Sequence, residues 1–210
     1  RHSSPDAGLF WMLSHHLGTV AKVLVLNLAL AGLGSLVASW LAGRARAGWL
    51  VSWGLGFGAG SLLALGWGLA GLFLAVPVIV PSLVAGAAGL LLGLGNGRLD
   101  PAAFHGLAPR ERGEGPVAAG AAAAAVVLAS LAMAPDTSWD AVVYHLRVPA
   151  FFVQEHRVFH VPTHHFTAFP LASEMHYGWL MLWGGLERMG GGEAARLFHV
   201  SCAAAAALAA

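Results

Sequence analysis

Charged residues divide this chain into long apolar blocks. Positions 23–43 carry no charge for 21 residues, 47–97 for 51, and 115–135 for another 21. A helix needs about 20 apolar residues to cross the hydrocarbon core of a bilayer. The first and third blocks therefore each predict one span and the second predicts two, near 20–42, 49–67, 71–94 and 116–134. A fifth span is expected over about 171–186, with Glu174 near one end and 12 uncharged residues before Glu187. A sixth begins near Ala194 and reaches Ala210. Pro77 and Pro81 fall within the third span and are expected to kink it, which a buried membrane helix tolerates. The opening stretch, 8–17, is too short to cross and is expected to lie at the interface.

Composition agrees with a membrane setting. The chain is 58% hydrophobic and 10% charged, with a mean hydropathy of +0.71, whereas soluble domains are near a quarter charged. A net charge of +1 supplies no field for a nucleic acid. The single cysteine, Cys202, excludes an internal disulfide framework and a cysteine metal cluster. The expected fold class is an all-α integral membrane protein of about six transmembrane helices, with an outer loop of short amphipathic juxtamembrane helices. It divides into the spans of 1–134, an extracytoplasmic loop over 135–170, and the last two spans of 171–210. The chain starts without Met and stops in an alanine run, so it is expected to be a piece of a longer protein.

Orientation follows from arginines in short loops. Arg44 and Arg46, then Arg98, Arg110 and Arg112, then Arg188 and Arg196 fall on one side of six alternating spans. That side is expected to be cytoplasmic, at a multi-pass protein's inner membrane. The 135–170 loop lies outside, where Arg147 and Arg157 oppose the count, seven against two. Gly54, Gly56, Gly58 and Gly60 alternate and Gly66, Gly68 and Gly71 follow, predicting close helix packing through small faces. Trp11, Trp40, Trp49, Trp53 and Trp67 fall near span ends, as interfacial anchors do.

The loop at 135–170 holds the polar chemistry: Asp136, Asp140, Arg147, Glu155 and Arg157, with His145, His156, His160, His164 and His165. Its aromatic and aliphatic content argues against disorder. Ser138 can cap a short helix from Trp139, and Pro149 should break it before a second helix at 150–157. Tyr144 then shares a face with Asp140, with His145 beside it. His156, His160 and His164 recur every four residues, but Pro162 interrupts that helix and no HExxH spacing occurs. They read as polar loop residues, one or two of them contacting a phosphate or sugar. Asp140 reads either as a general base or as an N-terminal helix residue, and Asp136 as a turn residue beside Pro135. Glu174, a carboxylate inside a membrane segment, points to function by its cost.

The stretch Asp136-Thr137-Ser138-Trp139-Asp140-Ala141-Val142-Val143-Tyr144-His145-Leu146, followed by Pro149, resembles the first large outer loop of polytopic GT-C glycosyltransferases. The likeness is to the bacterial branch related to protein O-mannosyltransferases and lipid A aminoarabinose transferases. Phe169-Pro170-Leu171-Ala172-Ser173-Glu174-Met175-His176-Tyr177 resembles that branch too. The resemblance implies transfer of a sugar from a polyprenyl-phosphate donor to an acceptor hydroxyl of a glycan, lipid or protein at the outer membrane face. It assigns Asp140 as the base or as the group that orients the acceptor, with Asp136 as its substitute. Tyr144, His145, Arg147, Arg157, His164, His165 and Glu174 become the substrate-binding set. It requires no covalent intermediate and leaves a divalent cation open. In that family the loop follows the first span, whereas here three further spans precede it, and full transferases have many more than six. The fragment alone is thus expected to be inactive. The alternative is a segment of a multi-pass transporter or channel, suggested by the glycine-rich, proline-containing pair at 49–94 and by Glu174.

Overall fold

A computed structural model describes residues 5–42, 47–97, 99–100, 114–134, 138–168, 171–184 and 190–209. Among the described residues the regular structure is helical apart from one two-residue parallel bridge, β1 (Ala47–Gly48) with β2 (Leu99–Asp100). The helices are α1 (Pro5–Ala42), α2 (Trp49–Leu69), α3 (Ala75–Gly95), α4 (Glu114–Ala132), α5 (Arg147–Glu155), α6 (Ala172–Gly184) and α7 (Gly190–Ala209). Stretches over Phe10–Leu41, Trp49–Leu69 and Ala75–Gly95 are long and apolar enough to cross a membrane. The opening segment is not separate from the first span. With neither Gly nor Pro between Leu9 and Leu17 to break it, it continues within α1, 38 residues long.

Helices α2 and α3 are built inside out, whereas α1 buries large side chains such as Leu26 and Leu30. Those parts of α2 that are buried are Ser52, Gly56, Ser61, Ala64 and Gly68, and in α3 they are Val78, Gly86, Gly89 and Gly93. Large residues such as Leu62 and Leu91 point outward, 71% and 73% exposed. Lipid is as apolar as leucine, so association here relies on close backbone approach and polar contacts rather than on hydrophobic burial. A Cβ on Gly32 would overlap the Gly86 carbonyl, and one on Gly56 the Leu30 carbonyl. Among the alternating glycines the helical four-residue period selects the contacts. Gly56, Gly60 and Gly68 meet neighbours, while Gly54, Gly58 and Gly66 face open space.

The two prolines of the third span take different places. Pro81 lies inside α3, but α3 starts at Ala75, so Pro77 occupies its first turn, where no N–H is needed. Pro149 likewise does not break a helix: α5 starts at Arg147, placing Pro149 in the first turn. Trp53 ties neighbouring helices together. Its Nε1 donates to Asn27 Oδ1 at 2.7 Å, while Asn27 Nδ2 lies 3.2 Å from Ser201 Oγ, tying α1, α2 and α7 together.

Those contacts correct the expected topology. Asn27 meets Ser201, and His15 meets Glu193, so α1 and α7 run in the same direction. Six alternating spans would make the first and sixth antiparallel. The discrepancy lies in α6, whose 13 described residues extend about 20 Å at 1.5 Å each, short of a hydrocarbon core of about 30 Å. The α6 start packs on α2, Ser61 Oγ donating to the Ala172 carbonyl at 2.9 Å. Arg196, expected on the cytoplasmic side, instead lies at the end of the molecule that holds residues 138–168. There its Nε and Nη2 donate to the Ala132 and Ala134 carbonyls at 2.9 and 2.6 Å, satisfying the C-terminal end of α4. The same end holds the α2–α3 turn, joined to the segment after α5 by Phe73 N–H to His156 O and Val158 N–H to Gly68 O, both 2.8 Å. Beneath it Phe73, Phe152, Phe198, Met175 and Leu180 form a buried core.

Candidate active site

Helix winding after Trp139 decides the geometry. The first backbone bond runs from Val142 N–H to Ser138 O, and the turn then widens into a π-helix over Ala141–His145, closed by Leu146 N–H to Ala141 O at 2.9 Å. A π turn pairs residues five apart and recurs at functional positions. Here it sets His145 against Asp140, with Nε2 3.2 Å from Oδ2. The other ring nitrogen, Nδ1, lies 2.6 Å from Glu174 Oε1. Glu174 sits in the first turn of α6, where the helix dipole favours a carboxylate.

The two carboxylates differ in exposure. The Glu174 side chain is 4% exposed and that of Asp140 64%. Each nitrogen of the His145 ring faces a different carboxylate. His145 thus joins a buried anchor to an accessible carboxylate. Tyr144 hydrogen-bonds Glu174 as well; burial, then the charges of Glu174 and Asp140, raise its phenol above the ordinary 10. Tyr144 is therefore a donor and not a base. Its ring stacks on Phe166 at 5.0 Å, and Trp139 meets Phe166 edge-on at 6.0 Å.

Asp140 and His145 form one wall of an open cavity of about 470 Å³. Leu128, Leu131 and Ala132 of α4 give it an apolar side, and Tyr177, Arg196, His199 and Val200 line it from α6 and α7. Tyr177 Oη is 2.9 Å from His199 Nδ1.

The structure brings together Asp140, Tyr144, His145 and Glu174 of the expected set. Arg147 lies over the Phe151 ring at 4.7 Å and Arg157 over Phe159 at 5.3 Å, so neither lines the cavity. His164 and His165 pack against Phe166 at 5.6 and 4.0 Å, one ring removed from Tyr144. Asp136 lies outside the described residues. Arg196 and His199 were not among the expected site residues. The available signal was two polar residues three apart in an apolar segment, which share a helix face.

Asp140, His145 and Glu174 do not converge three donor atoms on one point, and among the described residues only His15, His16 and Glu193 do. His156 ends α5 in the left-handed conformation at φ 57°, while His160 Nδ1 pairs with Thr167 Oγ1 at 3.1 Å. No family model, curated protein or solved structure matches this chain.

Proposed function

We propose that this chain belongs to a membrane glycosyltransferase that moves a sugar from a polyprenyl-phosphate donor to an acceptor hydroxyl. The observation that carries the reading is the Asp140–His145–Glu174 relay, of which Asp140 and His145 line an open cavity that Arg196 and His199 also line. Asp140 takes the proton of the acceptor hydroxyl as its oxygen attacks the anomeric carbon. The bond from that carbon to the phosphate oxygen breaks, and the lipid phosphate leaves with the electron pair, inverting the centre. His145, anchored by Glu174, positions Asp140. Arg196 and His199 replace Arg147 and Arg157 as the groups that meet the leaving phosphate. The apolar α4 wall suits the isoprenoid chain.

In this reading α4 and α7 also cross the membrane, and 138–184 forms one outer segment between them. The loop then follows α4 as the family's loop follows its first span, and α1–α3 are an N-terminal addition. Arg44, Arg46, Arg98, Arg110 and Arg112 belong by chain order to connections at the opposite end, which we place in the cytoplasm.

Asp140→Asn in the full membrane protein tests the assignment, with consumption of a polyprenyl-phosphate hexose followed in vesicles. General-base assistance contributes about 10²–10⁴ in rate, so transfer should fall at least about a hundredfold with donor binding little changed. The parental rate in the variant would refute the role.

A further inference from the structure

A second polar cluster lies between α1 and α7, apart from the cavity. Glu193, in the first turn of α7, is 2% exposed. His15 Nε2 lies 2.8 Å from its Oε2, and His16 Nδ1 lies 3.8 Å from the same oxygen. The three donor atoms are all within 4.8 Å of one another. His16 Nδ1 is buried with no hydrogen-bond partner, a costly state for a polar atom. Trp11 stacks on His15 at 5.3 Å and fixes that ring.

We propose that His15, His16 and Glu193 bind one divalent transition-metal ion, zinc by ligand type, and so clasp α1 to α7. Two imidazoles and a carboxylate are a known zinc set, with bonds of about 2.0–2.2 Å and a fourth position for water. Donors of such a tetrahedron stand about 3.3 Å apart, inside the range of separations found here. Nitrogen donors disfavour magnesium and calcium, which take oxygen. The ion would occupy the space against the unpaired His16 nitrogen and neutralise the buried carboxylate. It would also set the register of α7, which carries Arg196 one turn beyond Glu193.

The full membrane protein in detergent, stripped by chelator, is titrated with zinc against a competing dye and with cobalt by visible absorption. One equivalent should bind, with a melting temperature that rises with free zinc. His16→Gln, which removes a side chain with no hydrogen bond at that nitrogen, should weaken binding at least about tenfold. His160→Gln/His164→Gln should leave it unchanged. Failure of the parental protein to bind one equivalent, undiminished binding in His16→Gln, or loss in the loop double variant would each overturn the proposal. The outcome is independent of the Asp140 test, because zinc stoichiometry is read without turnover.

Discussion

Replacing Gly32 by Ala should destabilise the protein, while the same change at Gly54 should not. The added Cβ at Gly32 would overlap the Gly86 carbonyl oxygen and stand 2.9 Å from Leu90 Cγ. A helix carbonyl cannot rotate away, so α1 and α3 must separate by roughly 1.5 Å to restore van der Waals contact. Overpacking of this kind costs about 1–3 kcal/mol, against which the better helix propensity of Ala returns at most about 1 kcal/mol. At about 2–4 °C per kcal/mol for a chain of this size, the melting temperature should fall by a few degrees. A Cβ on Gly54 meets nothing within 4 Å, so propensity alone acts and the melting temperature should hold or rise by about 2–4 °C. Thermal melts in detergent, read from the fluorescence of the eight tryptophans, compare the two directly. Equal shifts, or a larger loss at Gly54, would refute the helix-packing register.

Two further outcomes follow from the same geometry. Glu174→Ala removes the buried acceptor of both His145 and Tyr144 and should cost about 3–5 kcal/mol, whereas Asp140→Ala, at an exposed pair, should cost less than about 1 kcal/mol; comparable losses in thermal unfolding would show that Glu174 is not the anchor. In a background lacking Cys202, cysteines at Gln154 and Gly190 should label from one side of the membrane and one at Gly97 from the other, and labelling of Gly190 with Gly97 would restore six alternating spans.

The long helices were legible because lack of charge over 20 residues is itself the physical requirement for crossing lipid. Their contact faces were less so, since glycines at every second position left the face undefined until the helical period selected Gly56, Gly60 and Gly68. α6 was misjudged for a related reason. Hydropathy measures what a segment can be buried in, and α6 is buried in protein, with Met175, Trp179 and Leu180 in the core. A buried helix and a spanning helix read alike over 13 residues, and only length or a neighbour's direction separates them.

The site divides along the same line. Asp140, Tyr144 and His145 lie within six residues of one another, so local winding alone could bring them together, although the π turn that pairs 140 with 145 leaves no mark in the sequence. Glu174 was marked by the cost of a carboxylate in apolar surroundings. The same cost marks Asn27 and Glu193, and each is paired across helices, with Trp53 and Ser201 in one case and His15 in the other. Expense thus reveals that a buried polar group must have a partner, but the partner's identity depends on which helices adjoin and in which direction. His15 and Glu193 are 178 residues apart, and no local pattern joins them. Arg196 shows the consequence most sharply. Counted as a free cytoplasmic charge it supports six spans, but held by the Ala132 and Ala134 carbonyls it fixes the start of α7 beside the end of α4, and the cavity exists because those two ends meet.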